Sequence, residues 1–215
     1  MIKAVIFDMD GVMIDSEPLW EKTEKIMMAR KGITYTPAYR EKIVGLGQKD
    51  SAILLKNTFG LEDETEEIVN SRISILLDIY DKELELVSGL ELLLDSLSKS
   101  PLQVALASSS PIRVINFVLD NFELSKYFDP VVSGDMVENG KPNPDIYLHT
   151  AGLMSLSPPE CVVIEDSING VVSAKAAGMY CIAVPDKRLE PNGFKKADVI
   201  IDDLEMVNLE ALMNF

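Results

Sequence analysis

Ala4-Val5-Ile6-Phe7 is an unbroken apolar run that stops abruptly on Asp8-Met9-Asp10-Gly11. A strand with no polar residue on either face has to be covered on both. That points to a parallel sheet with helices above and below. Further runs of strand formers follow at Leu102–Ala107, Val131–Ser133, Cys161–Ile164, Tyr180–Val184 and Val199–Ile201. Helical patterns separate them: one opens at Ser88-Gly89-Leu90-Glu91, which reads as a capping box. Another opens at Ser110-Pro111, with Ser110 as N-cap. Others open at Pro144 and run from Ile168 to Ala177, the last stopped by Gly178. Strands alternating with helices on this scale predict an α/β fold with a doubly wound parallel sheet.

The alternation is interrupted between the first and second strands. From Glu17 to about Lys82 the apolar residues keep helical spacing and no strand pattern appears. Leu19, Ile26 and Met27 mark a first helix, Thr36-Pro37 offers the start of a second, and Gly45-Leu46-Gly47 breaks it. A third is expected from Asp50 to Phe59. A longer one follows Asp63, Glu64 and Glu66, with Ile68, Ile75, Leu76 and Ile79 as its stripe. The expected organisation is a core of residues 1–15 and 84–215 with an all-helical cap domain of residues 16–83 inserted in it.

Composition sets a further condition. Thirty-five acidic residues against 20 Lys+Arg give a net charge of −15. Such a body repels polyphosphate and anionic lipid, so neither nucleic acid nor a membrane surface is an expected partner. No leader pattern or spanning segment is visible, and a cytoplasmic, monomeric protein is the expectation. Cys161 and Cys181 both fall in strand-like runs and read as buried small hydrophobes. An anionic substrate would need positive charge supplied locally.

The strand ends show where that charge would sit. In open parallel sheets ligands bind at the carboxyl ends of strands. There the sequence places Asp8 and Asp10, then Ser108-Ser109-Ser110, then Lys141 in Gly140-Lys141-Pro142-Asn143-Pro144, then Glu165-Asp166-Ser167. Clustered carboxylates raise one another's pKa, and a hard dication relieves the conflict by taking their oxygens together with a substrate phosphate. Mg²⁺ is the expected cofactor, with Mn²⁺ or Co²⁺ able to substitute. Ser108 and Lys141 would donate to the phosphate, with Ser109 beside them. Asp8 is placed to attack phosphorus, and Asp10, brought back by the turn at Gly11, to serve as acid and then base. His149, the single histidine, lies inside a helical pattern and reads as structural or solvent-facing.

These motifs resemble the haloacid dehalogenase superfamily of phosphotransferases over essentially the whole chain. Asp8-Met9-Asp10-Gly11-Val12, Ser108 with its strand, Lys141-Pro142-Asn143-Pro144-Asp145 and Glu165-Asp166-Ser167-Ile168-Asn169-Gly170 match its four motifs in order. The resemblance implies that Asp8 and Asp166 bind Mg²⁺ by side chain and Asp10 by its backbone carbonyl. It implies that Glu165 is a ligand through water or an orienter of the others. The helical insertion is similar to the small cap of the beta-phosphoglucomutase-like subgroup. Mutases of that subgroup carry a His in the first cap helix and an Arg in the cap loop. Trp20 and Gln48 stand at those places here. Glu17 and Trp20 are expected to shape the sugar pocket by packing and not by proton transfer, and Gln48, in the cap loop Gly45 to Lys49, to help cover the leaving group and exclude water. Loss of the second-phosphate cation favours a phosphatase acting on small sugar phosphates. A beta-phosphoglucomutase is the alternative, with Lys49 or Arg72 supplying the missing cation. A non-catalytic regulatory protein on the same fold is the alternative of another class.

Overall fold

A computed structural model describes residues 1–36, 46–186 and 191–213. The expected helix start at Thr36-Pro37 runs into residues outside that description. The strands are β1 (Ala4–Phe7), β2 (Gln103–Ser108), β3 (Val131–Ser133), β4 (Cys161–Glu165), β5 (Tyr180–Ala183) and β6 (Val199–Ile200). The helices are α1 (Glu17–Arg30), α2 (Gln48–Phe59), α3 (Thr65–Glu83), α4 (Leu90–Ser98), α5 (Ile112–Asn121), α6 (Asp145–Leu153), α7 (Ile168–Ala176) and α8 (Leu209–Met213). No described helix is long and apolar enough to cross a membrane.

All strand pairs are parallel, in the order β3-β2-β1-β4-β5-β6. This is the doubly wound order, with the chain reversing direction across the sheet beside β1. Phe7 lies opposite Leu106 on one side and Ile164 on the other, so β1, β2 and β4 end level. Side chains of β1 go alternately to two apolar clusters. Val5 and Phe7 join one with α4 and α5, while Ala4 and Ile6 join the other with α6 and α7. Both faces of β1 are therefore dry, which is why its sequence shows no polar alternation. Cys161 and Cys181 lie buried in the second cluster as free thiols.

Helices α1 and α2 each pack on α3, and Met27, Met28, Leu55 and Leu76 of these helices are buried. Two chain segments join these helices to the sheet and run side by side. Ile14 pairs antiparallel with Leu86, the Asp15 N–H donates to the Glu85 carbonyl at 3.1 Å, and Val87 N–H donates to Met13 at 2.9 Å.

Three helix starts differ from their sequence expectation. Helix α2 begins at Gln48 after an extended Gly47, two positions before Asp50, so Gln48 sits in its first turn. Ser88 does not cap α4: Gly89 does, at φ +83°, while Ser88 donates its hydroxyl to Glu205 at 3.1 Å. Ser110 does not cap α5 either. Pro111 takes that place, and the Ser110 hydroxyl points the other way, into the site. In both cases a distant carboxylate is a stronger acceptor than the local backbone is a partner.

Candidate active site

The ends of β1, β2 and β4 and the loop before α6 bring Asp8, Ser108, Lys141, Glu165 and Asp166 together, all almost fully buried. Lys141 bridges the group. Its Nζ donates to Asp8 Oδ1 at 2.7 Å and to Glu165 Oε1 at 2.6 Å, and stands 4.8 Å from the Tyr147 ring centroid. Burial alone would lower the Lys141 pKa, but the Asp8 and Glu165 carboxylates outweigh it and hold the ammonium charged.

Glu165 is saturated. Oε1 accepts from Lys141 and the Tyr147 hydroxyl (2.8 Å), and Oε2 accepts the Asp166 N–H, the Ser167 N–H and the Ser167 hydroxyl, each at 3.0 Å. Burial pushes its pKa up, but Lys141 and these donors more than reverse that and keep it ionised. Gly170 leaves the room this carboxylate occupies, since a Cβ there would collide with it.

Asp8 and Asp166 are in the opposite condition. Burial, then the charges of Glu165 and Asp10, raise the Asp8 pKa to about 8 despite Lys141. Burial and the charges of Glu165 and Asp8 push Asp166 well above its ordinary range. The Asp166 carboxylate accepts no hydrogen bond among the described residues. Asp8, Glu165 and Asp166 each offer an oxygen within 4.8 Å of the others. One ammonium thus faces an excess of buried carboxylate charge, and two of those carboxylates lack enough donors. A hard, oxygen-seeking dication fits this donor set. Gly11, at φ +80°, makes the turn that brings Asp166 against the loop, where a Cβ would meet its carboxylate.

Asp10 is held from two sides. Oδ2 accepts the Ser110 hydroxyl at 2.8 Å and a long contact from Ser108 at 3.5 Å. Oδ1 accepts the Trp20 indole N–H at 2.9 Å and the Tyr80 hydroxyl at 3.4 Å. The expectation that Trp20 acts only by packing is therefore incomplete, because its N–H reaches Asp10. Ser108 Oγ also accepts the Ser110 N–H at 3.0 Å. Glu17, Trp20, Gln48, Ser109 and Lys141 line the cavity of ≈ 50 Å³ above Asp8. Ser109 Oγ and Gln48 Oε1 are buried there with no hydrogen-bond partner among the described residues. His149 is exposed on α6.

Sequence reasoning missed Tyr80, Tyr147 and the contact made by Ser110. Ser110 carried a visible signal, since a third serine at a strand end could serve the site as well as a helix start. The tyrosines carried none, because each lies in an ordinary apolar helix stripe.

Carboxylates and serines at the level ends of β1, β2 and β4, with Lys141 from the loop before α6, form the candidate active site of this α/β protein. The chain belongs to the haloacid dehalogenase-like hydrolase family, whose pattern matches residues 5–184. It is 34% identical over 178 residues to the phosphorylated carbohydrates phosphatase of Thermotoga maritima, covering 83% of this chain and 82% of that one. It is 31% identical over 230 residues to hexitol phosphatase B of Escherichia coli, covering 99% and 97%. The crystal structure of CbbY from Rhodobacter sphaeroides in complex with phosphate superposes with a TM-score of 0.88 at 26% identity, covering 99% of this chain and 100% of that one.

Proposed function

We propose that the chain is a Mg²⁺-dependent phosphatase that hydrolyses small phosphorylated carbohydrates through an aspartyl-phosphate on Asp8. The observation that carries this reading is the unequal pair Asp8 and Asp10. Asp8 lies at the floor beside Lys141 and Asp166, and Asp10 lies beside it on the cavity wall, fixed by donors on both of its oxygens.

Bound at Asp8 and Asp166, with the Asp10 carbonyl, Mg²⁺ would neutralise the phosphate and the carboxylates that face it. Asp8 attacks phosphorus with one oxygen while Lys141 holds the other. Asp10 gives a proton to the leaving oxygen, then takes one from the water that opens the aspartyl-phosphate. Glu165 touches no substrate; its five donors fix Lys141 and the backbone of Asp166. The Ser109 hydroxyl and Gln48 Oε1 are the unsatisfied polar atoms left for the substrate.

Residues 16–83 act as a cap over this site, and 1–15 with 84–215 as the core, joined at the paired segments near Asp15 and Leu86. The cavity of ≈ 50 Å³ over Asp8 adjoins a second of ≈ 290 Å³, and Gln48, Ser109 and Lys141 line both. A sugar phosphate would place its phosphate in the first and its sugar toward the second. The hydrolase reading is preferred over a mutase because Arg72, one candidate for a second phosphate anchor, is already bound to Glu24 at 2.8 Å. The test is inorganic phosphate release from a panel of sugar monophosphates with Mg²⁺ and no bisphosphate primer. Interconversion of sugar phosphates faster than phosphate release would replace this reading with the mutase.

A further inference from the structure

We propose that the second cavity selects phosphate esters by the charge of their far end. It admits the hydroxyl-bearing end of a sugar or polyol monophosphate and turns away an end that carries a second phosphate or a carboxylate. This rests on the reading of the chain as a phosphatase whose substrate lies across the two cavities, and it adds which residues choose among such esters.

The walls of the second cavity carry more negative than positive charge. Asp135 and Glu138, from the segment after β3, and Asp50, from the first turn of α2, line it together with Lys49 and Lys141. Lys141 is already spent on Asp8 and Glu165. That leaves Lys49 against three carboxylates. All four of these side chains are exposed, so water screens each of them, and each is worth a severalfold effect on an anion and not orders of magnitude.

The backbone offers an anion no better. The start of a helix is where free N–H groups would hold one, but at α5 they are taken. The Ser110 N–H donates to Ser108 Oγ at 3.0 Å, Pro111 has no N–H, and the Ile112 N–H donates to Asp135 Oδ2 at 3.1 Å. Asp135 therefore removes a donor and adds a negative charge at the same place. It is held there. The Ser133 hydroxyl donates to the Ser110 carbonyl at 2.9 Å, and a Cβ on Gly134 would stand 2.8 Å from the Ser109 carbonyl oxygen, so the segment that carries Asp135 fits closely against the serine loop.

Where the two cavities meet, the groups left over are polar and uncharged. Gln48 and Ser109 line both cavities, and Gln48 Oε1 and Ser109 Oγ are buried with no hydrogen-bond partner among the described residues. An amide oxygen only accepts, so it needs a donor. A sugar hydroxyl supplies one; a phosphate dianion or a carboxylate does not. A hydroxyl satisfies a buried atom, whereas an anion leaves it unsatisfied and meets repulsion as well.

Two esters of one length test this: glucitol 6-phosphate, whose far end is a hydroxymethyl group, and gluconate 6-phosphate, whose far end is a carboxylate. With the wild-type chain and Mg²⁺, kcat/KM should favour the glucitol ester by about tenfold or more. Asp135→Asn keeps an oxygen for the Ile112 N–H and removes the charge, and Glu138→Gln removes a second charge. Together they should narrow the preference by about fivefold. Added KCl should narrow it in the wild type as well, because the charges are exposed. A wild-type preference below about threefold, or one that neither the double variant nor salt moves, overturns the proposal. Calorimetric binding of both esters to the Asp8→Asn chain with Mg²⁺ reads the same selection without turnover. A wild type that releases no phosphate from either ester would end the phosphatase reading, while the ratio of the two Kd values still decides this one: a ratio near one overturns it.

Discussion

Two aspartates of the same loop, two residues apart, have been given different surroundings, and that difference assigns their chemistry. Asp8 has one ammonium and several like charges around it; Asp10 has hydroxyl and indole donors. Asp8→Asn keeps the shape and removes the attacking charge. Steady-state phosphate release should fall by at least about 10³-fold, with the far-ultraviolet dichroism unchanged. Activity within tenfold of wild type would end the aspartyl-phosphate proposal. Asp166 accepts no hydrogen bond among the described residues, so Asp166→Ala should leave the fold standing and raise the Mg²⁺ concentration needed for half-maximal activity by about 10-fold or more. A metal titration decides it, and an unchanged midpoint would remove Asp166 from the ligand set.

The elements differ in how much strain the site asks of them. Gly11 lies where a side chain would meet Asp166 in a left-handed turn, whereas Gly152, inside α6, has nothing within 4 Å of its would-be Cβ. Gly11→Ala should destabilise the fold by about 1–3 kcal/mol and weaken Mg²⁺ binding at the same time. Gly152→Ala should stabilise it by about 0.5–1 kcal/mol through helix propensity alone and leave turnover unaltered. Urea titrations of the two variants read both signs. A neutral Gly11→Ala would mean that the loop relaxes without moving Asp166. A buried ion pair between Glu24 of α1 and Arg72 of α3 ties those two helices together.

At the scale of the molecule, charge is the dominant property. A body of net charge −15 would repel the dianionic sugar phosphate proposed above until Lys141 and the proposed Mg²⁺ take hold of it. Added KCl should therefore raise kcat/KM for a sugar phosphate as screening shortens that repulsion, with kcat unchanged; a falling kcat/KM would show that the local attraction dominates. The same imbalance governs stability. The Asp8 pKa is raised to about 8, above its value in the unfolded chain, so without metal Asp8 contributes stability that is present at low pH and lost as pH rises through about 8. Asp166 has the same sign, and Glu165, whose pKa is lowered, has the opposite one, losing its contribution only on strong acidification. Mg²⁺ bound as proposed would compete with the protons on Asp8 and Asp166. Its effect on Tm should be an increase that is larger at about pH 8 than at about pH 6. Thermal scans with and without EDTA at the two values test this, and an equal increase at both would place the metal away from these carboxylates.

The strands, their order of chemistry and the residues at their ends were legible in the sequence because they are local. A four-residue apolar run ending in Asp8 announces both a buried strand and the place where it stops, and the same holds at Ser108 and at Glu165-Asp166. Lys141 was legible because a lysine between Gly140 and Pro142 follows a strand. What the tertiary structure alone decided were the partners. Ser110 read as a helix cap and Ser88 as another, since spacing shows only the neighbouring backbone; folding brought Asp10 and Glu205 within reach, and a charged acceptor outcompetes a peptide group. Trp20 read as packing because a sequence shows a side chain's apolar area but not the direction of its one N–H. Tyr80 lies 70 positions from Asp10, and Arg72 lies 48 from Glu24. No periodicity encodes such pairs, because they depend on how helices settle against a sheet, which is fixed by the packing of the whole.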